Sequence, residues 1–355
     1  MKKKVLMKGN EAIAEAAILS GCRHFFGYPI TPQTEISAYM AKRMPKIGGT
    51  FLQAESEVAA INMVYGAAGA GARVMTSSSS PGISLKSEGI SYIAGADLPC
   101  VIVNMVRGGP GLGGIQPAQS DYFQAVKGGG HGDYHLIVFA PNSVPEIVSL
   151  TMKAFDTADK YRCPVMILGD GTLGQMMEPV SFDDDYEPEI PEKPWATVGT
   201  GGKREHNVIN TLYMTPEELE FTVTEREKKY DAIKANEVMF ETEYLDDAEY
   251  VICSYGTTSR VVQTAVESLR SEGIKAGIIR PITLWPFPYD IIHETAKRVK
   301  AFLSVEMSMG QMVEDIRLAA NGAAPVHFFG RTGGIIPTSY EVINKIKEII
   351  GGESL

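Results

Sequence analysis

Short apolar runs alternate with helical patterns along most of this chain, and that alternation is the feature that most constrains its fold. The clearest run, residues 99–106 (PCVIVNMV), is continuous and bounded by turn-forming residues, as in a central strand of a parallel sheet. Similar runs occur at 136–139 and 164–168, and an amphipathic helix is predicted between them over 144–161. Strands that alternate with helices in this way predict a doubly wound α/β sheet.

A segment of different composition divides the alternation into two regions. Residues 183–195 are acidic and rich in proline, and residues 215–243 are charged and helical, so we predict a linker with a charged helix over 183–243. The α/β pattern occupies 1–182 before it and resumes over 244–355. A chain of 355 residues is long enough for two domains, the second smaller than the first.

Composition and charge argue against several classes of protein. The net charge of −10, from 33 basic and 43 acidic residues, argues against a nucleic-acid-binding surface. No apolar stretch reaches about 18 residues, the length of a membrane span. The basic N-terminal start is not expected to be a signal peptide, because Lys8, Glu11 and Glu15 interrupt its apolar region. We therefore expect a soluble, cytoplasmic protein without a membrane partner.

The cysteines support the same compartment. They lie far apart in sequence without a C-x-x-C pair, so the chain shows no zinc ribbon and no iron–sulfur ligand run. We expect all four to be reduced structural thiols: Cys22, Cys100, Cys163 and Cys253.

Four polar or glycine-rich segments follow predicted strands in the first region. Ligands of open parallel sheets bind at the carboxyl ends of the strands, so these segments are candidates for one cleft. They are GYPITP at 27–32, QAESE at 53–57, TSSSSPG at 76–82 and RGGPGLGG at 107–114. In the first of them, Thr31 is expected to cap the following helix and Pro32 to be its first residue.

Of the two neighbouring acids Glu55 and Glu57, only one is expected to enter the cleft. Residues two apart on a helix face roughly opposite sides. Glu57 begins an otherwise apolar helix, where its carboxylate would be desolvated and able to share a proton. The alternative is that both acids lie in the first turn only because negative charges interact favourably with the positive end of the helix dipole.

Arg107 ends the most apolar strand, and a cation there is rarely free of a partner. It is either a ligand-binding residue beside the glycine-rich segment 108–114, or part of a structural ion pair next to a flexible loop. The serines at 77–80 either line a pocket or form a simple loop, and His131 is either a base or a structural histidine. The residues alone thus predict a two-domain α/β protein with an anion-friendly cleft in its N-terminal half.

A resemblance narrows this prediction. The segments GYPITPQTEI, QAESEVAAINMVYGAA, MTSSSSPGISL, NMVRGGPGLG, HGDYHLIVFAPNSV, LGDG, LWPFP and VEMSMGQM follow one another along the whole chain. Together they resemble the alpha subunit of the 2-oxoacid:ferredoxin oxidoreductases, most closely that of the 3-methyl-2-oxobutanoate (2-ketoisovalerate) enzymes. The pyruvate and 2-oxoglutarate enzymes are near relatives.

The resemblance implies a thiamine-diphosphate enzyme, active only as a multi-subunit complex. Such enzymes oxidatively decarboxylate a 2-oxoacid, transfer the acyl group to coenzyme A and reduce ferredoxin. The first domain would be similar to the pyrimidine-binding domain of transketolase-like enzymes, and the second to the transketolase C-terminal domain.

The resemblance also implies partner subunits. A beta subunit would hold the diphosphate and its Mg²⁺, and gamma and ferredoxin-like delta subunits would complete the complex, with iron–sulfur clusters only in the partners. This agrees with the absence of cluster cysteines here, and with Gly169-Asp170-Gly171, which has no asparagine at the usual interval. No metal site is expected in this chain.

The resemblance assigns roles to five residues of the cleft. Thr31 would line the substrate and cofactor cleft, Glu57 would face the thiamine pyrimidine, and Arg107 would meet the substrate carboxylate. Pro29 and Ile30 would supply backbone near the pyrimidine.

Other shared residues receive no role. His131 and Asp133 recur in the multi-subunit members of the family, and the GQM segment at 310–312 is expected to support packing or subunit contacts. Alternatives to a catalytic alpha subunit for a branched-chain 2-oxoacid stay open. They are the 2-oxoglutarate or pyruvate enzyme, a stand-alone thiamine-dependent carboligase or decarboxylase, and a non-catalytic interaction subunit of the same fold.

Overall fold

A computed structural model describes residues 4–182 and 186–352. The strands in these ranges are β1 (Lys4–Lys8), β2 (His24–Gly27), β3 (Thr50–Gln53), β4 (Val74–Ser78), β5 (Cys100–Val106), β6 (Ile137–Phe139), β7 (Pro164–Asp170), β8 (Met177–Ser181), β9 (Phe240–Glu243), β10 (Tyr250–Cys253), β11 (Ala276–Pro281), β12 (Thr283–Trp285), β13 (Ala301–Glu306) and β14 (Val326–Gly330). The α-helices are α1 (Gly9–Leu19), α2 (Thr34–Arg43), α3 (Glu57–Gly69), α4 (Pro81–Gly95), α5 (Tyr122–Val126), α6 (Val144–Tyr161), α7 (Gly171–Gln175), α8 (Pro216–Asn236), α9 (Thr258–Ser271), α10 (Tyr289–Ala296), α11 (Met312–Ala320) and α12 (Ser339–Gly352).

The N-terminal sheet has seven strands in the order β12-β6-β7-β5-β4-β2-β3. The strand predicted at 99–106 is β5, and it lies in the middle of this sheet with all seven of its residues buried. The pairings among β2 to β7 are parallel, and only the edge strand β12 is antiparallel to its neighbour β6. Because side chains of β5 are buried on both faces, the strand appears in sequence as an unbroken apolar run.

Helices pack on this sheet and on one another, α1 against α6 and α3 against α4. Two of them begin where serine caps were available: Ser56 accepts from the backbone of Ala59 at the start of α3, and Ser143 from Glu146 at the start of α6. The predicted start of α2 at Pro32 was wrong by two residues. Residues 30–33 form a turn in which Gln33 N donates to Ile30 O over 3.1 Å, so α2 begins only at Thr34.

The C-terminal sheet has five strands in the order β14-β13-β10-β11-β9, parallel except for β9. Two strands cross the predicted boundaries. The first is β9, at 240–243, which lies inside the predicted linker yet pairs with β11. The second is β12, at 283–285, which lies inside the predicted second domain yet pairs with β6 of the first sheet. The ranges 1–182, 183–243 and 244–355 stay predictions of domain organisation; residues 1–3, 183–185 and 353–355 lie outside the described chain.

All four cysteines are buried and free, as expected. Burial raises the pKa of the Cys22 thiol to about 12, so at neutral pH it is protonated and unreactive. Within the described ranges, no helix combines the length and the apolar character needed to cross a membrane.

Candidate functional site

The four candidate segments come together at one edge of the N-terminal sheet. Strands β5, β4, β2 and β3 are neighbours, and each is followed directly by one of the segments. Because the strands are parallel, their carboxyl ends lie side by side. The grouping predicted from the sequence therefore exists.

Arg107 connects two of these segments. Its side chain is buried, and its guanidinium donates to the carbonyl oxygens of Thr31 and Leu112, each over 3.1 Å. Its backbone N–H donates to Ser80 Oγ over 3.0 Å, which fixes the end of β5 against the serine segment. No ion pair of Arg107 occurs within the described ranges, and its Nε has no hydrogen-bond partner there. The guanidinium is thus held by neutral carbonyl groups and keeps its positive charge uncompensated.

Glu57 is the first residue of α3 and is 6% exposed, whereas Glu55 is exposed. The expectation that only one of the two acids points inward agrees with this difference. The Glu57 side chain lies against the first turn of α4. A Cβ added to Gly82 would lie 2.8 Å from Glu57 Oε1 and would overlap Ser78 Oγ. Glycine at position 82 therefore makes room for the carboxylate.

The serine segment is partly structural and partly free. Ser77 Oγ donates to Gln33 Oε1 over 2.6 Å, and Ser80 Oγ binds the backbone of Arg107. Ser78 Oγ and Ser79 Oγ are buried and have no hydrogen-bond partner in the described chain. Buried hydroxyls without partners are rare, so they mark a place where a bound group would complete the hydrogen bonding.

The GYPITP loop presents Thr31 and Pro29 at the surface, with Ile30 half-buried. Asn10 of α1 supports the loop by donating its side-chain amide to the carbonyl of Pro32 over 2.8 Å. The backbone of Thr31 is committed to Arg107, so its accessible hydroxyl is the part that can meet a ligand.

Lys86 is a residue of this region that the sequence analysis missed. It is completely buried on α4, and its Nζ donates to Thr76 Oγ1 over 2.7 Å and to the carbonyl of Ser77 over 3.0 Å. Burial lowers the pKa of Lys86 to about 7, and the negative charge of Glu57 acts in the opposite direction. The available signal was spacing, because Lys86 follows Gly82 by four residues and so shares its helix face.

His131 and Asp133 are exposed and are not brought to the Glu57 side of the site by any described contact. His131 Nδ1 lies 3.4 Å from Ser91 Oγ, and its ring meets the edge of Tyr92. These neighbours do not indicate a base.

The GQM segment joins the two regions of the chain. Gln311 accepts from Phe123 N and donates to the carbonyl of Ser120, each over 2.8 Å. Glu306, completely buried before it, accepts five hydrogen bonds, three of them from backbone N–H groups at the start of α11. The contacts agree with the expected packing role.

The carboxylate of the GDG segment is used inside the chain. Asp170 caps α7 by accepting from the backbone of Thr172 and Leu173, and its other oxygen accepts from Thr257. Burial raises the pKa of Asp170. In the described ranges, no group of three or more His, Cys, Asp or Glu side chains is arranged to hold a metal ion.

Comparison with known proteins assigns the sequence to a family. The family model described as pyruvate flavodoxin/ferredoxin oxidoreductase, thiamine diphosphate-binding, matches residues 15–243. This chain belongs to that family. A second model of the same enzymes, pyruvate:ferredoxin oxidoreductase core domain II, matches residues 248–342. The resemblance inferred from the ordered motifs is confirmed.

Two similar proteins align with nearly the whole chain. It is 51% identical to the ketoisovalerate oxidoreductase subunit VorB of Methanothermobacter thermautotrophicus, over 98% of this chain and 99% of the relative. It is 37% identical to the 2-oxoglutarate synthase subunit KorA of Methanothermobacter marburgensis, over 98% and 99% of the two chains.

Solved structures confirm the α/β fold class. The 2-oxoglutarate:ferredoxin oxidoreductase from Magnetococcus marinus, solved with 2-oxoglutarate, coenzyme A and succinyl-CoA bound, superposes with a TM-score of 0.85 at 30% identity. That match covers 98% of this chain, which spans 65% of the length of the solved chain. A split-gene transketolase shares the fold at a TM-score of 0.62 and 14% identity, over 96% of this chain and 97% of that one.

Proposed function

We propose that this chain is the alpha subunit of a ketoisovalerate:ferredoxin oxidoreductase. The enzyme would oxidatively decarboxylate a branched-chain 2-oxoacid to acyl-CoA and CO₂ and pass the electrons to ferredoxin. The observation that carries a catalytic role is that two buried charged side chains, the Glu57 carboxylate and the Arg107 guanidinium, lie at one edge of the sheet, with Arg107 bound to neutral carbonyl groups. The choice of a branched-chain acid rests on 51% identity to VorB against 37% to KorA.

The residues present fit the pyrimidine half of thiamine diphosphate. A pyrimidine offers ring nitrogens and an amino group, and the chain offers the Glu57 carboxylate with the unpartnered hydroxyls of Ser78 and Ser79. Glu57 would hold a proton at a ring nitrogen, and the backbone of Pro29 and Ile30 would pass beside the ring. When bound, thiamine supplies an electron sink for decarboxylation. Burial of Glu57 at the start of the apolar helix α3 keeps water away from its carboxylate.

Arg107 and Thr31 are proposed to hold the substrate. A guanidinium binds a carboxylate through charge-assisted hydrogen bonds, and Arg107 Nε is buried and still without a partner. The Thr31 side chain is exposed beside it. A Cβ atom added to Gly109, Gly111 or Gly114 would meet nothing within 4 Å, so this segment leaves room for a ligand next to the guanidinium.

Partner subunits are proposed to complete the site. Asp170 is engaged in capping α7, so this chain offers no free GDG carboxylate for the Mg²⁺ of the diphosphate. We assign the diphosphate and Mg²⁺ to a beta subunit, and the iron–sulfur clusters to gamma and ferredoxin-like delta subunits. Leu112 on the glycine-rich segment is 85% exposed, and Ile115 directly after the segment is 58% exposed. Exposed apolar side chains of this kind suit a subunit interface. Free buried cysteines suit a cytoplasmic location.

The proposal is tested by co-expression of this chain with its partner subunits and an assay of viologen-dye reduction with thiamine diphosphate and coenzyme A. We expect the assembled complex to have its highest kcat/KM with 2-oxoisovalerate, compared with 2-oxoglutarate and pyruvate. The chain alone should be colourless and inactive. Activity of the isolated chain would indicate a stand-alone enzyme, and a preference for 2-oxoglutarate or pyruvate would overturn the substrate assignment.

A further inference from the structure

Lys86 is an unusual residue for the interior of a protein. Its side chain is completely buried, and its Nζ binds two neutral oxygens, Thr76 Oγ1 at 2.7 Å and the carbonyl of Ser77 at 3.0 Å. Lysine is almost never fully buried without a charged partner. Within the described ranges, no carboxylate lies in ion-pair contact with Lys86, so its charge must be balanced at a longer distance.

Glu57 is positioned to balance that charge. Its carboxylate lies against Gly82, and Lys86 is four residues further along the same face of α4, one helical turn away. The Glu57 charge is the Coulombic interaction that raises the pKa of Lys86 against the larger lowering by burial. Interactions between charges are reciprocal, so the lysine cation and the Glu57 carboxylate attract each other.

Other charged groups near Glu57 face elsewhere. Helix α3 packs against α4, β2 and β4, and β4 carries no titratable side chain. On α4, Glu88 and Tyr92 are hydrogen-bonded to each other at 2.7 Å on the exposed face. Tyr65 lies near the far end of α3, and His24 lies at the end of β2 opposite the site. Glu55, just before the helix, is exposed. Of the side chains on α3, α4, β2 and β4, that of Lys86 is thus the cation positioned to act on Glu57, while Arg107 at the end of β5 binds the carbonyls of Thr31 and Leu112.

We propose that Lys86 is a positioning residue whose buried cation, one helical turn along α4 from Gly82, balances the charge of the Glu57 carboxylate. The inference rests on the proposed role of Glu57 at the thiamine pyrimidine. It assigns to the chain itself the control of the acidic pH limit of the reaction. Burial lowers the pKa of Lys86 to about 7, so the lysine is cationic below neutral pH.

The first test is the pH profile of kcat/KM of the assembled complex. Lys86→Met keeps most of the length of the side chain and removes its charge. The acidic limb should move upward by up to ~1 pH unit, the lower end of the ~1–3 units that an opposite charge within about 4–6 Å produces on a carboxyl pKa. Lys193→Met is the matched control, because Lys193 is also buried, with 7% of its side chain exposed, but pairs with Asp159. It should leave the acidic limb unchanged.

Thr76→Val supplies a milder variant that preserves the lysine. It removes the 2.7 Å hydrogen bond to Lys86 Nζ and should move the acidic limb in the same direction, by less. An unchanged acidic limb in an assembled Lys86→Met complex, or an equal shift in Lys193→Met, overturns the inference. If Lys86→Met does not assemble, the profile of Thr76→Val decides in the same way.

A second measurement separates this inference from the proposed function. Melting temperatures of the full chain are compared for Lys86→Met, Glu57→Gln and the double variant. Interacting charges make the two changes non-additive, and strict additivity would overturn the inference whatever Glu57 does in catalysis. Full turnover of a Glu57→Gln complex with non-additive melting temperatures would instead overturn the catalytic role of Glu57 and leave the charge interaction standing.

Discussion

The guanidinium of Arg107 donates a hydrogen bond to the backbone carbonyl of Thr31 over 3.1 Å, across 76 positions of the sequence. The two residues proposed to meet the substrate are therefore joined to each other. The same guanidinium reaches the carbonyl of Leu112, so it also holds the glycine-rich segment in place. One side chain thus organises both walls of the proposed substrate site.

Arg107→Ala should raise the KM for the 2-oxoacid in the assembled complex. A hydrogen bond to a charged group contributes roughly 1.5–3 kcal/mol, which corresponds to about one to two decades in kcat/KM. Arg107→Lys should recover only part of this loss, because lysine cannot form the two-pronged contact. Steady-state kinetics with a titrated 2-oxoacid check the expectation, and thiamine affinity measured in parallel should change little. Unchanged 2-oxoacid kinetics, or a defect confined to subunit assembly, would make Arg107 a structural residue.

Glu57→Gln should nearly abolish turnover while the subunits still assemble. A positioned acid–base group typically contributes ~10²–10⁴-fold, and an amide cannot exchange a proton as the buried carboxylate does. Glu55→Gln is the matched control and should be mild, since Glu55 is exposed. Turnover numbers of the two purified complexes decide the matter, and reversed effects would mean that the wrong glutamate has been chosen.

Gly82→Ala should reduce turnover and destabilise the chain. The new methyl group would lie 2.8 Å from Glu57 Oε1 and would overlap Ser78 Oγ, so both side chains must shift. Gly66→Ala is the matched control, because it is also a helical glycine and a Cβ there meets nothing within 4 Å. It should raise the free energy of unfolding by about 0.4–1 kcal/mol. Denaturant unfolding and steady-state kinetics of both variants provide the measurement. Unchanged turnover and unfolding free energy in Gly82→Ala would show that the Glu57 side chain does not need the space left by the glycine.

The stability of the chain should depend on pH through Lys86. Its pKa is about 7 in the folded chain and returns to the ordinary 10.5 on unfolding, so between these values the unfolded chain binds more protons. The free energy of unfolding therefore rises with pH across that window, and the cost of burying the cation is fully present below pH 7.

Relative to Lys86→Met, the wild-type chain should gain up to about 2 kcal/mol between pH 7 and pH 9. Urea unfolding of the two chains at several pH values checks this, with Lys193→Met as the control that should follow the wild type. A constant difference between wild type and Lys86→Met would contradict a depressed lysine pKa.

Sequence patterns alone were enough to predict most of the secondary structure and the location of the site. Helix α6 at 144–161 has the predicted limits, because its apolar spacing records which side of the helix is buried. The four site segments also followed from the sequence, since polar residues after parallel strands collect at one edge of a sheet. The roles of Glu57, Thr31 and Arg107 came from the resemblance and stay predictions.

Only the tertiary structure decided which distant residues meet. No local pattern shows that residues 283–285 leave their own region to pair with β6, or that Arg107 binds the carbonyl of Thr31 rather than a carboxylate. The complete burial of Lys86 was equally hidden, because a single lysine in a helix normally indicates a solvated face. The physical reason is common to all three. Hydrophobic periodicity reports the environment of one element, whereas pairing, hydrogen bonding and charge balance depend on distances that exist only after the elements have packed.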